Sequence, residues 1–225
     1  MALKSIKFIK TRRHKPNKRP FTLNATIKII LLERQIMQLI EGKTFDKNDF
    51  TVEPLLKSEY ENCLFSNCNF SNSDLSEIKF LDCEFMVCNL SLAKITKTAF
   101  RDVKFKDCKM LGLQFDTCNE FGLTFNFESC NLTHSSFYQT KIKKTVFKDC
   151  NLEEVDFTEC DLSSSVINNC NLTNAKFEYT NLENADLRYS FNYSISPDSN
   201  RIKKCKFSQS GIAGLLDKYD IQIDF

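Results

Sequence analysis

The chain has 225 residues, 42% hydrophobic and 27% charged, with 31 Lys or Arg against 29 Asp or Glu. That balance is the one found in folded soluble domains and favours neither a disordered nor a membrane-embedded class. No segment reaches the roughly 18 apolar residues of a membrane-spanning helix; the best run, Ile27 to Leu32, is interrupted by Lys28.

The overall charge hides a division. Residues 1–43 carry eleven basic side chains against Glu33 and Glu41, a net of +9, which leaves 20 basic and 27 acidic for the remainder, a net of −7. Residues 1–36 form a basic arm (Lys4, Lys7, Lys10, Arg12, Arg13, Lys15, Lys18, Arg19) with Pro16 and Pro20 inside it. It reads as a nucleic-acid or anionic-lipid tether, as a disordered tail, or as sequence upstream of a true start at Met37. The stretch Thr26 to Ile40 has apolar residues enough for a short helix (Ile27, Ile30, Leu31, Ile36, Leu39, Ile40).

From Phe45 an apolar residue recurs at every fifth position up to Phe115, and again from Phe127 to Leu187; all 28 of these centres are apolar. A helix repeats apolar positions near 3.6 and a strand near 2, so a period of five is neither. Two residues before the centres stand small or thiol side chains, among them Cys63, Cys68, Ser73, Cys83, Cys88, Ala93, Cys130, Cys150, Cys170, Ala175 and Ala185. Residues two apart point the same way on an extended backbone, so each unit buries one large and one small side chain and then turns. With 21 Phe, no Trp, 5 Gly and 4 Pro, the interior slot is uniform and the corners take ordinary residues. Cys-Asn-Leu recurs at Cys130-Asn131-Leu132, Cys150-Asn151-Leu152 and Cys170-Asn171-Leu172. A twenty-residue column means four sides per turn of a coil. Leucine-rich repeats can also run near twenty residues, but they need a segment that breaks the five-residue beat.

These triplets, together with Asn184-Ala185-Asp186-Leu187, resemble the pentapeptide-repeat family. The resemblance covers about residues 43–210 and implies an all-β fold, a right-handed quadrilateral β-helix. The expected division is a tail over 1–36, the β-helix over 37–208 with about seven coils, and a cap over 209–225. Seven coils at about 4.8 Å give a rod on the order of 34 Å long.

The beat fails between Phe115 and Phe127, where two extra residues are accommodated; a bulge or small loop is expected over 116–126, with Asn119, Glu120, Phe121 and Gly122 at its tip. After Leu187 the pattern loosens and returns at Ile202 and Phe207, and the chain from Gly211 reads as a short helix and a final strand. A β-helix leaves an open edge that needs covering. In the quinolone-resistance, DNA-gyrase-protecting branch of the family a similar apolar helix caps the coil and dimerises. The resemblance therefore implies a homodimer through Ile212, Leu215, Leu216, Tyr219 and Ile221.

The eleven cysteines all fall at the small inward position, where a free thiol behaves as a small buried hydrophobe. Zinc would want cysteines two to four apart, and the closest here are five apart, so no metal and no cofactor is expected. No secretion signal is read in the sequence, and a cytoplasmic protein with eleven free thiols is expected. His14 and His134 are the two histidines, neither with a partner in sequence, and five scattered Gly make no phosphate loop. An enzyme is not expected. What remains is an acidic band, Asp149, Glu153, Glu154, Asp156, Glu159, Asp161, Glu178, Glu183 and Asp186, against the single base Lys176. Glu153, Glu154, Asp156, Glu159 and Glu178 map to two adjacent sides, while Lys141, Lys143 and Lys144 lie on a third.

Carboxylates held at fixed spacing can imitate duplex DNA, which carries one charge per about 1.7 Å of axis. In the gyrase-protecting branch this is the mechanism the resemblance implies, with DNA gyrase or topoisomerase IV as partner. No membrane, and no nucleic acid for the β-helix itself, is expected. The other reading is a structural module for a different protein partner.

Overall fold

Each five-residue unit must hold a large side chain inward, bring a small one in beside it and bend by a right angle. In the computed structural model, which describes residues 37–222, this is what the chain does. The basic arm and His14 lie outside the described residues, as do residues 223–225.

Short parallel strands stack on two of the four sides of a right-handed β-solenoid. On the first side β1 (Leu39–Glu41), β3 (Glu59–Glu61), β5 (Lys79–Leu81) and β7 (Ala99–Arg101) form a four-stranded sheet. On the second, β2 (Thr44–Asp46), β4 (Leu64–Ser66), β6 (Glu84–Met86), β8 (Val103–Lys106), β9 (Phe125–Glu128), β10 (Val146–Lys148) and β11 (Val166–Asn168) form a seven-stranded one, so about six turns separate its first and last strands. Single bridges carry the other sides, such as Asn131↔Asn151↔Asn171 on the third and Ser136↔Asp156↔Lys176 on the fourth. The first side resumes after the break through Lys141↔Asp161↔Asn181↔Arg201. Leu39 and Ile40, expected at the end of a helix, are in β1, because Ile40 pairs with Tyr60 in the register of the coil.

The interior is a set of ring ladders. Phe45, Phe65 and Phe85 stack at centroid spacings of 4.8 and 4.7 Å, and Phe115 lies 4.5 Å from Phe137. Rings on adjacent sides meet edge to face, as at Phe80–Phe85, 5.2 Å and 76°. Each fully buried ring contributes about 1.5–3 kcal/mol of transfer free energy. The small inward slot is more than a space filler. Its hydroxyl or thiol donates to the backbone carbonyl of the preceding coil, as Thr98 Oγ1 to Leu75 O (2.8 Å), Thr180 Oγ1 to Phe157 O (2.8 Å) and Cys83 Sγ to Tyr60 O (3.3 Å). That common donor role is why Cys, Ser and Thr share the position.

Along most of the coil, corners fall two residues after the centres, and there the backbone is left-handed. Every corner from Asn62 to Asp107, and again from Ser129 to Asn184, is a non-glycine residue with φ of 50° to 68°. The corner N–H donates to the next coil, for example Val87 N to Lys106 O at 2.9 Å. An inter-coil hydrogen bond worth about 1 kcal/mol offsets a left-handed penalty of about 1–2 kcal/mol.

The interruption is resolved on the first side. A 3₁₀ turn at Phe115–Thr117 leads into a detour, and the chain re-enters the coil at β9, whose Phe127 pairs with Phe105 across the two extra residues. On the first side of this coil the in-register residue, Glu120, is exposed, and Leu123 of the detour is buried instead. Phe125, in the slot that elsewhere holds a small residue, packs 5.2 Å from Phe115 and 5.0 Å from Phe127 and is fully buried. At the far end a 3₁₀ turn at Gln209–Gly211, the helix α1 (Ala213–Leu216) and a second 3₁₀ turn at Asp217–Tyr219 close the coil. The final strand expected there does not form among the described residues; Asp220 to Gln222 have no regular structure.

Candidate partner-binding surface

Outward positions lie one residue either side of each centre and at the corners. Asp or Asn just before a centre also serves the local turn, because its side-chain oxygen accepts from the N–H just after the centre. Asp156 accepts from Thr158 N (2.8 Å), Asp161 from Ser163 N (3.1 Å) and Asp186 from Arg188 N (3.3 Å). These carboxylates are part of the turn as well as of the surface.

The nine acidic residues do not share one face. Glu153 is on the third side, Glu154 at the corner to the fourth, Asp156 and Glu178 on the fourth, and Glu159 at the corner beyond it. Asp149 sits at the corner before the third side, while Asp161 and Glu183 are on the first and Asp186 on the second. Those last three are paired: Asp161 with Lys143 (3.2 Å), Glu183 with Arg201 (3.0 Å), Asp186 with Arg188 (2.7 Å) and Lys206 (3.7 Å). The Arg188 hydrogen bonds hold the Asp186 carboxyl below its ordinary value. Burial pushes Asp161 up, but hydrogen bonds from Ser163 and the Lys143 ammonium outweigh it, and the net shift is downward.

His134 has a partner after all. Its Nδ1 is 3.0 Å from Glu154 Oε2, one coil away. Among the described residues, Asp149, Glu153, Asp156, Glu159 and Glu178 have no cation within 4.0 Å; Gln139 donates to Glu159 (2.8 Å) and Asn169 to Asp149 (2.7 Å). The carboxylates left unneutralised therefore cluster on the third and fourth sides. The fourth-side column is broken by bases, since Asp74 stacks on Lys94 and Asp156 on Lys176.

A signal for part of this pairing is present in the sequence, because residues twenty apart meet, although Asp161–Lys143 and Glu183–Arg201 are eighteen apart. Lys79–Glu59 (2.9 Å), Lys148–Glu128 (2.8 Å) and His134–Glu154 are all twenty apart.

The loop at the register break presents Phe121, 75% exposed, beneath the Arg101 guanidinium, which lies 5.3 Å from the ring centroid. Asn119 Oδ1 accepts from Phe121 N (3.0 Å), and Gly122 adopts φ +70° where the chain turns back over Arg101. Glu120 is exposed at the tip and lines a cleft of about 440 Å³ with Asp116, Tyr138 and Lys141. In the cap, Ile212, Tyr219 and Ile221 are exposed, while Leu215 and Leu216 are half-buried and Leu215 packs on the core. Among the described residues, no helix is long and apolar enough to cross a membrane, and no group of three or more His, Cys, Asp or Glu is arranged to hold a metal ion.

The family model described as "Pentapeptide repeat region" matches residues 58–126 and 121–187. No curated protein sequence matches the chain. Among solved structures, full-length QnrB1, described as a plasmid-mediated fluoroquinolone resistance protein, aligns with a TM-score of 0.54 at 15% identity over 82% of this chain and 100% of that one. A trypsin-treated form of the same protein aligns at 0.50 and 17% over 84% of this chain and 100% of that one. HetL from the cyanobacterium Nostoc sp. strain PCC 7120, described as involved in heterocyst differentiation regulation, gives 0.35 at 12% over 82% and 95%. At these identities the likeness to QnrB1 is one of fold.

Proposed function

The chain belongs to the pentapeptide-repeat family, and on that premise we propose that it is a non-enzymatic DNA mimic that binds a type II topoisomerase, DNA gyrase or topoisomerase IV, and protects it from quinolones. The observation that carries this reading is the cluster of unneutralised carboxylates on the third and fourth sides, Glu153, Asp156, Glu159 and Glu178, fixed by the coil rather than by flexible loops. Rigid display means that little ordering entropy is lost when a partner's cationic groove closes on them. The QnrB1-like fold supports the reading. In it, Phe121, exposed at the loop tip on the first side, is a separate aromatic contact, and the exposed Ile212, Tyr219 and Ile221 of the cap form a homodimer contact.

The test is a gyrase supercoiling assay with a quinolone, to which the purified protein is added over a wide concentration range. Restored supercoiling is expected; inhibition unchanged at every concentration would sink the reading. A second reading, an interaction module for another protein, draws on Lys94 and Lys176, which break the acidic column on the fourth side. Capture of gyrase by the immobilised protein decides against it.

A further inference from the structure

The C-terminal half of the solenoid is charged differently on opposite sides. Facing away from the carboxylates of the third and fourth sides, the first side and its corner to the second carry two basic clusters. Lys141, Lys143 and Lys144 surround Ile142, and Arg201, Lys203 and Lys204 surround Ile202. All six side chains are exposed. Lys143 and Arg201 are paired with Asp161 and Glu183, whereas Lys141, Lys144, Lys203 and Lys204 have no carboxylate within 4.0 Å among the described residues.

The coil fixes the distance between the clusters. Lys141, Asp161, Asn181 and Arg201 are consecutive bridge partners, so three inter-coil steps separate the two clusters; at about 4.8 Å each the separation is roughly 14 Å. The corner column Lys144, Ser164, Asn184, Lys204 is uniformly left-handed, φ 58° to 62°, and is tied from coil to coil by Lys144 N to Ser163 O (3.0 Å), Ser164 N to Glu183 O (2.8 Å) and Asn184 N to Lys203 O (3.0 Å). Between the bases stand Ser163, Ser164, Asn181 and Asn184, neutral hydrogen-bonding groups, together with Asp161 and Glu183, whose charges Lys143 and Arg201 neutralise and leave the four unpaired lysines in excess.

We propose that this edge, between the first and second sides from Lys141 to Lys204, is a binding site for the phosphate backbone of duplex DNA. Two clusters of cations about 14 Å apart match phosphates on the two walls of a groove about 12 Å wide, and lysine side chains span the remainder. The hydroxyl and amide donors between them suit phosphate oxygens, which take most protein–DNA hydrogen bonds. The acidic sides point away from such a duplex. The protein thus presents carboxylates on one side and a phosphate-binding edge on the other, and the assignment stands without the topoisomerase reading.

The experiment titrates a short fluorescein-labelled DNA duplex with the full chain, at several salt concentrations and without any topoisomerase. The variant Lys141→Gln, Lys144→Gln, Lys203→Gln, Lys204→Gln is compared with the unaltered chain. Both retain the basic arm, so the difference reports the edge alone. The expected result is binding weakened more than about tenfold, with the log–log salt slope shallower by roughly three to four. The pair Lys141→Gln and Lys203→Gln, away from the left-handed corners, gives the same test with half the change in slope if the quadruple variant melts early. Equal affinity and equal slope overturn the proposal. So does an edge whose loss dissolves self-association in sedimentation while DNA binding is untouched, which would assign it to a second copy.

Discussion

Left-handed backbone at ordinary residues is the molecule's most repeated local strain, and it gives the sharpest single-residue tests. Val87 is the worst-suited corner, β-branched at φ 56° and 52% exposed, so its side chain offsets little of the strain. Asn tolerates this region and already occupies the neighbouring-coil corner at Asn67. Val87→Asn is expected to raise stability by about 1 kcal/mol, read as a higher urea midpoint at unchanged slope; an unaltered or lower midpoint refutes strain at the corners. The thiols make a second prediction, in pH. Burial pushes Cys83 and Cys160 up to about 12 from an ordinary value of 9.0. A raised folded value means that the stability these thiols contribute is whole below pH 9 and declines as pH climbs from 9 toward 12, because the unfolded chain releases its protons first. Cys83→Ser keeps a donor to Tyr60 O and removes the titration. It should show a shallower alkaline loss of stability than the unaltered chain, and parallel curves would count against burial as the cause.

At the scale of elements, the interruption separates what holds the rod together from what it displays. Phe125 fills a slot that elsewhere holds a small residue, so Phe125→Ala leaves a cavity among Phe115, Phe127 and Phe137 and should cost about 3–5 kcal/mol. Phe121, exposed on the loop, should cost within about 0.5 kcal/mol when changed to Ala. Chemical denaturation of the two variants reads both, and similar losses would mean that the loop is structural. The repeat itself was legible because every centre from Phe45 to Phe115 and from Phe127 to Leu187 is apolar and no helix or strand period yields that. Phe125 was not, because the slot it fills was defined by small residues, and only the detour of the chain makes room for a ring. The donor role of the cysteines was hidden for a different reason: a small buried thiol and a small buried methyl look alike in a pattern of sizes, and only the carbonyl 23 residues back distinguishes them. Leu39 and Ile40 lie in a strand rather than the expected helix because a helix and the first strand of a coil both accept a short apolar run.

For the whole molecule the decisive property is transverse charge, which no count along the chain exposes. The nine carboxylates between Asp149 and Asp186 look like one band in the sequence, but winding them onto four sides places Asp161, Glu183 and Asp186 among bases that neutralise them. The remaining acids face one way, with Lys176 the base among them, and Lys141, Lys144, Lys203 and Lys204, unpaired among the described residues, face the other. If a topoisomerase is engaged through the acidic sides, the two sides must be separable by mutation. The acidic variant should be Glu153→Lys, Glu154→Lys, Glu159→Lys with Asp156→Asn, because Asp156 also accepts from Thr158 N and an amide keeps that hydrogen bond while removing the charge. Such a protein should melt within a few degrees of the unaltered chain, since the substituted groups are exposed or half-exposed and make no core contact. In the supercoiling assay it should lose protection at every concentration, whereas the four-lysine edge variant should retain it. Protection surviving the acidic substitutions would remove DNA mimicry as the mechanism, and protection lost in both variants would show that the two sides act on the enzyme together.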